Sequence, residues 1–180
     1  VVSEQIQHKS DVGGVVVGIH DDAGLEAAWE SIHTSVKRNM PDARIDGILL
    51  EHMAAPGGLE ILIGVSRDPV FGHILTFGLG GIYVEVFKDV SRRMLPLSAT
   101  EAEAMIREVR CFPLLDGVRG KPRRDVAALT ALLVKVSDFV VAHGDHLVEM
   151  DLNPVWVGVA GEGALPLDAV IVMEQGEGGK

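Results

Sequence analysis

The sequence predicts an α+β fold of mixed or antiparallel sheets with flanking helices, and three observations carry that prediction. Apolar residues alternate with polar ones in several short runs, and in other stretches they recur every three or four residues. The alternating runs meet at turn-forming sequences such as Ala55-Pro56-Gly57-Gly58 and Arg67-Asp68-Pro69, which favour antiparallel hairpins. The regular strand-helix-strand succession of a doubly wound sheet is missing, and so is any internal repeat.

The elements follow in order. A short apolar run from Gly14 to Ile19 precedes Asp21 and Asp22, which offer an N-cap to a helix whose Leu25, Trp29, Ile32 and Val36 fall at helical spacing. That helix stops before Pro41. Strands are expected at Gly47 to Met53 and Leu59 to Val65, as a hairpin. The apolar run Ile74 to Phe77 enters the glycine cluster Gly78-Leu79-Gly80-Gly81, after which alternation resumes from Ile82 to Phe87. Ser98 and Glu101 have capping-box spacing before a helix to about Arg110, with Ala102, Met105, Ile106 and Val109 on its apolar side. Asp125 caps a longer helix ending near Gly144, striped by Leu129, Leu132, Leu133, Val136, Phe139 and Val140. Two more strands are expected at His146 to Asn153 and Leu165 to Met173, and residues 174–180 read as a disordered tail.

Composition narrows the function. At 180 residues, with 47% hydrophobic and 23% charged, the chain suits one compact domain with its own core. A formal net charge of −10 argues against a nucleic-acid surface, which needs clustered Lys and Arg. The single cysteine, Cys111, permits no internal disulfide and points to the cytoplasm. No membrane span is expected, because Lys135 and Asp138 interrupt the most apolar stretch, Leu129 to Val141. The opening residues lack both a signal-peptide pattern and an initiator Met, so the chain is expected to begin inside a larger protein.

Three clusters could carry chemistry. Glu149, Asp151 and Asn153 share one strand face by alternation, with Val148, Met150 and Leu152 on the other, and Asp168 lies across a turn on the next strand. An amide oxygen from Asn153 and a carboxylate from Asp168 would suit Mg²⁺, which takes one or two protein oxygens together with phosphates and water. An acidic, solvent-facing strand is the plain alternative. The run His8-Lys9-Ser10-Asp11-Val12-Gly13-Gly14 could cradle a polyphosphate with glycine amides and the Lys9 cation, although the P-loop spacing is absent and such a turn is often a simple bulge. The third cluster, Gly78 to Gly81 with Glu85, Lys88, Asp89, Arg92 and Arg93, reads equally as a mobile cover for transferred phosphate or as a charged hairpin. Cys111, His20, His33 and His143 form no nucleophile–base pair.

Taken in order, VVSEQIQHKSDVGGVVVGI, DGILLEHMAAPGGLEILIGVSRDPVFG, FGLGGIYVEVFKDVSRRMLPLS, EMDLNPVWV and LPLDAVIV resemble the ATP-grasp domain of ADP-forming acyl-CoA synthetases, relatives of the succinyl-CoA synthetase β subunit. The resemblance implies an ATP-grasp fold over residues 1–173, in its larger, C-terminal part and N-terminally incomplete. It implies ATP/ADP and Mg²⁺ as cofactors, with Asn153 and Asp168 holding the metal. It places the backbone of Glu51, His52 and Met53 against adenine, with Glu60 near the ribose or the phosphates. Lys9, Gly13, Gly14, Gly80, Gly81 and Arg93 would meet phosphate, and His8 would be a phosphate-relay histidine. The implied partners are CoA-binding and CoA-ligase modules on the same polypeptide or a partner subunit, with CoA and a carboxylic acid bound there, in an oligomer. A second reading is a regulatory, nucleotide- or acyl-CoA-sensing module of a protein lysine acetyltransferase.

Overall fold

A computed structural model describes residues 1–6, 8–80 and 89–174, in two compact units, Val1–Ala54 and Ala55–Lys180. The strand expected at Ile82 to Phe87, the position of Gly81 and the tail beyond Glu174 lie outside the described residues.

The first unit is built on helix α1, Asp22–Asn39. Asp21 caps it by accepting the Gly24 N–H at 2.7 Å, as the sequence predicts. Ile32 and Val36 bury against Val1 and Ile6, while Trp29 stays 51% exposed, so the buried seam runs through Ala28 in its place. The runs Gly14 to Ile19 and Gly47 to Met53 are not strands. Only Gly47 bridges, to Val2, and Val15, Val16, Val17, Leu49, Leu50 and Met53 are exposed. Alternation makes a strand only where another strand takes its backbone hydrogen bonds. Among the described residues, none does so here.

The second unit is an antiparallel sheet covered on one face by helices. Its strands are β1 (Leu59–Asp68), β2 (Gly72–Leu79), β3 (Val90–Met94), β4 (Leu147–Val157), β5 (Ala164–Pro166) and β6 (Ala169–Met173), in the order β3-β2-β1-β4-β5 with β6 also on β4. The hairpin partner of β1 is therefore β2 and not Gly47 to Met53. The turn between them is held by Asp68, whose carboxylate accepts the Val70 and Phe71 N–H groups at 2.8 and 2.9 Å. The helices are α2 (Ala99–Glu108), the short α3 (Phe112–Asp116) and α4 (Val126–His143). α2 carries the expected capping box between Ser98 and Glu101. Ile61, Ile63 and Val65 of β1, Leu75 and Phe77 of β2, and Met150, Leu152, Val155 and Val157 of β4 bury against Met105 and Ile106 of α2 and Leu129, Leu133, Val136 and Val140 of α4. Burying side chains of this kind contributes about 1.5 to 3 kcal/mol each, which makes this sheet a firm platform for whatever its other face carries.

Strand β4 contains two irregularities. Ile61 pairs with Val155 and Ile63 with Leu152, so Asn153 and Pro154 together stand opposite the single residue Leu62. This is a β-bulge, a device that re-aims side chains. A second shift lies between Leu147 and Glu149. It buries Leu147 and leaves Val148 37% exposed, so Val148 does not share the buried face with Met150 and Leu152 as simple alternation predicts.

Candidate functional site

The sheet face turned away from the helices holds the acidic residues. Glu149 pairs with Ser66 of β1 and Val172 of β6, and Asp151 pairs with Gly64 and Val170. Leu152 stands opposite Ala169 and Val155 opposite Pro166, while the Leu167 N–H donates to the Pro154 carbonyl at 2.9 Å. One step along that register sets Asn153 directly across from Asp168. Directly opposed residues of an antiparallel pair have Cβ atoms about 4.5 to 5.5 Å apart, within reach of a single ion. Two interlocked features create this placement: a register toward β5 and β6 that runs without a shift from Glu149 to Val157, and the bulge toward β1.

The electrostatics favour a cation here. The Asp151 carboxyl is pushed above its ordinary range, first by burial and then by the Glu149 and Asp168 carboxylates. Burial and like charge both penalise the ionised form, and a bound cation relieves both. Among the described residues no group of three or more His, Cys, Asp or Glu side chains forms a metal cage.

Next along this face, Glu60 pairs with Trp156, and the Glu60 carbonyl accepts the Gly80 N–H at 2.9 Å. A side chain at Gly80 would press on the Ile61 backbone, 2.7 Å from the added Cβ, so glycine is required for this approach. Arg93 is not brought to this face. It pairs with the buried Leu75, on the helix-covered side, where its guanidinium is taken by Glu108 of α2. Arg92, paired with Thr76, is the exposed arginine of β3 that shares the parity of Gly64 and Asp151.

In the first unit, His8 and Lys9 are exposed at the start of a compact turn. The Asp11, Gly13 and Gly14 N–H groups donate to the His8, Ser10 and Lys9 carbonyls at 3.2, 3.1 and 2.8 Å. Both glycine amides therefore close their own turn instead of lying open to a polyphosphate, contrary to the cradle expected from the sequence. Gly13 has φ +72°, and an added Cβ would lie 2.7 Å from Cβ of Ser35, so its role is to let the turn form. Glu51, His52 and Met53 are exposed in an irregular segment.

Comparison with known proteins gives this arrangement a family. The sequence pattern described as the ATP-grasp domain matches residues 1–173. The β subunit of the ADP-forming acetate–CoA ligase II of Pyrococcus furiosus is 44% identical over 97% of this chain and 73% of that subunit. The chain belongs to the ATP-grasp family of ADP-forming acyl-CoA ligases. Archaeoglobus fulgidus has an ADP-forming acetate–CoA ligase I that is 46% identical over 89% of this chain and only 23% of its own length. Among solved structures, acetyl-coenzyme A synthetase 1 of Ca. Korarchaeum cryptofilum, in complex with coenzyme A and Ca-AMPCP, superposes with a TM-score of 0.88 at 44% identity over 96% of this chain and 73% of that one. The same enzyme with coenzyme A and Mg-AMPPCP, its phosphohistidine segment pointing towards the nucleotide-binding site, gives 0.83 at 38% identity over 97% and 74%.

Within this ATP-grasp chain the sequence named Asp151 only as one member of a polar face. The signal was present in its neighbours: one further acid at strand alternation, Glu149, and Asp168 on the next strand set a carboxylate among carboxylates.

Proposed function

We propose that this chain is the nucleotide-handling part of an enzyme that interconverts acid, CoA and ATP with acyl-CoA, ADP and phosphate through a phosphohistidine. The observation that carries the reading is the facing pair Asn153 and Asp168 on a sheet face whose Asp151 is primed for a cation. Mg²⁺ held by this pair supplies neutralisation of nucleotide phosphate oxygens. Phosphoryl transfer depends chiefly on such positioning and charge neutralisation. Glu51 to Met53 line the adenine and Glu60 the ribose end, while Lys9 adds a cation beside His8. The exposed imidazole of His8 receives a phosphoryl group from a histidine on the CoA-binding module and passes it to ADP, or runs the reverse; a neutral imidazole is a competent nucleophile.

The rest of the reaction belongs to CoA-binding and CoA-ligase modules that bind CoA and the carboxylic acid, in a cytoplasmic oligomer that involves neither nucleic acid nor membrane. The relatives compared above are named as ligases, and they give no support to the regulatory acetyltransferase reading. The test is a coupled assay of the complete protein over a panel of carboxylic acids. CoA- and Mg²⁺-dependent ADP release is expected, together with a phosphoenzyme labelled from γ-³²P-ATP. His8→Ala is expected to abolish turnover while leaving Mg-ADP affinity intact. Absence of ADP release with every acid would defeat the reading.

A further inference from the structure

Trp156 stands between the buried Val155 and Val157, so its indole projects from the open face of the sheet, across from Glu60 on β1 and Leu165 on β5. Its Nε1–H donates to the Ala55 carbonyl at 2.9 Å. The ring fills the space above two glycines. A Cβ added to Gly58 would lie 1.8 Å from Nε1, and one added to Gly158 would lie 2.6 Å from Cη2. The indole therefore clips the Ala55-Pro56-Gly57-Gly58 turn onto the end of β4. An aromatic ring left half-buried on an open face forgoes part of the gain it would have in the core, and its N–H is spent on a turn carbonyl that water could have satisfied.

The geometry points to Trp156 as a positioning residue for the nucleotide, because it fastens the Ala55-Pro56-Gly57-Gly58 turn to the strand bearing Asn153 and stands across from Glu60. Trp156 is three residues beyond Asn153, about 10 Å along a strand. One strand thus references both the metal-holding end of the site and the Glu60 end. This inference rests on the nucleotide roles proposed above for those residues.

Two substitutions test the clip in the complete synthetase by different routes. Trp156→Phe keeps an aromatic ring and removes the N–H, whereas Gly58→Ala keeps the tryptophan and fills its seat. In each, KM for ATP at saturating Mg²⁺ is expected to rise about five- to tenfold, the worth of one hydrogen bond. kcat and the KM values for CoA and the acid are expected to stay within about twofold of wild type. A lowered Tm with an unchanged KM for ATP in Trp156→Phe would mean a purely structural role and would overturn the inference, whatever Gly58→Ala does. Wild-type turnover with unaltered variants removes this inference alone. A wild type that lacks Mg-ATP turnover removes the proposed function and this inference with it.

Discussion

Two aspartates of the second unit, Asp125 and Asp151, are handled in opposite ways. Asp125 caps α4, and its oxygens accept the N–H groups of Ala128, Gly161 and Gly163 at 2.9, 2.9 and 3.0 Å. Those hydrogen bonds, the Ala128 bond foremost, hold its carboxyl below the ordinary range. Asp151, on the open face of β4, meets burial and two further carboxylates, which hold it above that range. A carboxylate whose charge is answered by backbone donors is a building element of the fold. One whose charge is answered by more negative charge makes sense once a cation arrives, so the contrast separates scaffold from site.

The largest effects should come from removing the cation's ligands. Asp168→Ala and Asn153→Ala are each expected to lower kcat/KM by about 10²- to 10³-fold and to raise the Mg²⁺ concentration needed for half activity. An unchanged Mg²⁺ requirement in both variants would sink the assignment. Asp125→Ala should do the reverse. It loses a helix cap and two turn anchors, a destabilisation of about 2 kcal/mol measurable by urea denaturation, with Mg²⁺ dependence unaltered. A normal denaturation midpoint in that variant would break the comparison from the scaffold side.

Which parts were legible in the sequence follows from the range of the forces involved. Asp21, Ser98 with Glu101, and Asp125 cap their helices as read, because capping is settled within three or four residues. The pairing of Leu59 to Val65 was not legible, because it was decided by β2 and β4, remote in sequence, and not by the nearest alternating run. The facing of Asn153 and Asp168 follows from strand alternation and one turn. The bulge at Asn153 and Pro154 does not, since it exists only relative to β1. Arg93 shows the same limit. One residue decides which face an arginine takes, and only the pairing with Leu75 reveals that Arg93 goes to Glu108. The glycine amides at Gly13 and Gly14 looked available because a sequence does not show that Ser10 and Lys9 carbonyls claim them.

The smallest expected effect is also the sharpest test of the contrast, because the two aspartates should respond to pH with opposite sign. A carboxyl with a depressed folded pKa contributes stability above its unfolded pKa, near 3.8, and loses it as pH falls through the folded value. That is Asp125. With a raised folded pKa, the favourable contribution is present below the unfolded value and is lost as pH rises through the folded one. That is Asp151, so at neutral pH without Mg²⁺ its ionised form weakens the fold. Asp151→Asn should therefore raise Tm at pH 7 in the absence of Mg²⁺ and nucleotide, by no more than about 2 °C given its partial exposure to solvent. The gain should shrink toward acid pH as the wild-type carboxyl takes up its proton. It should shrink as well when Mg²⁺ and ADP are added at pH 7, because the cation then answers the charge that the substitution removed. Differential scanning calorimetry across pH, with and without Mg-ADP, measures all three. A Tm gain that ignored both pH and Mg-ADP would mean that Asp151 is not held in the field of its neighbours, and the distinction between the two aspartates would fail.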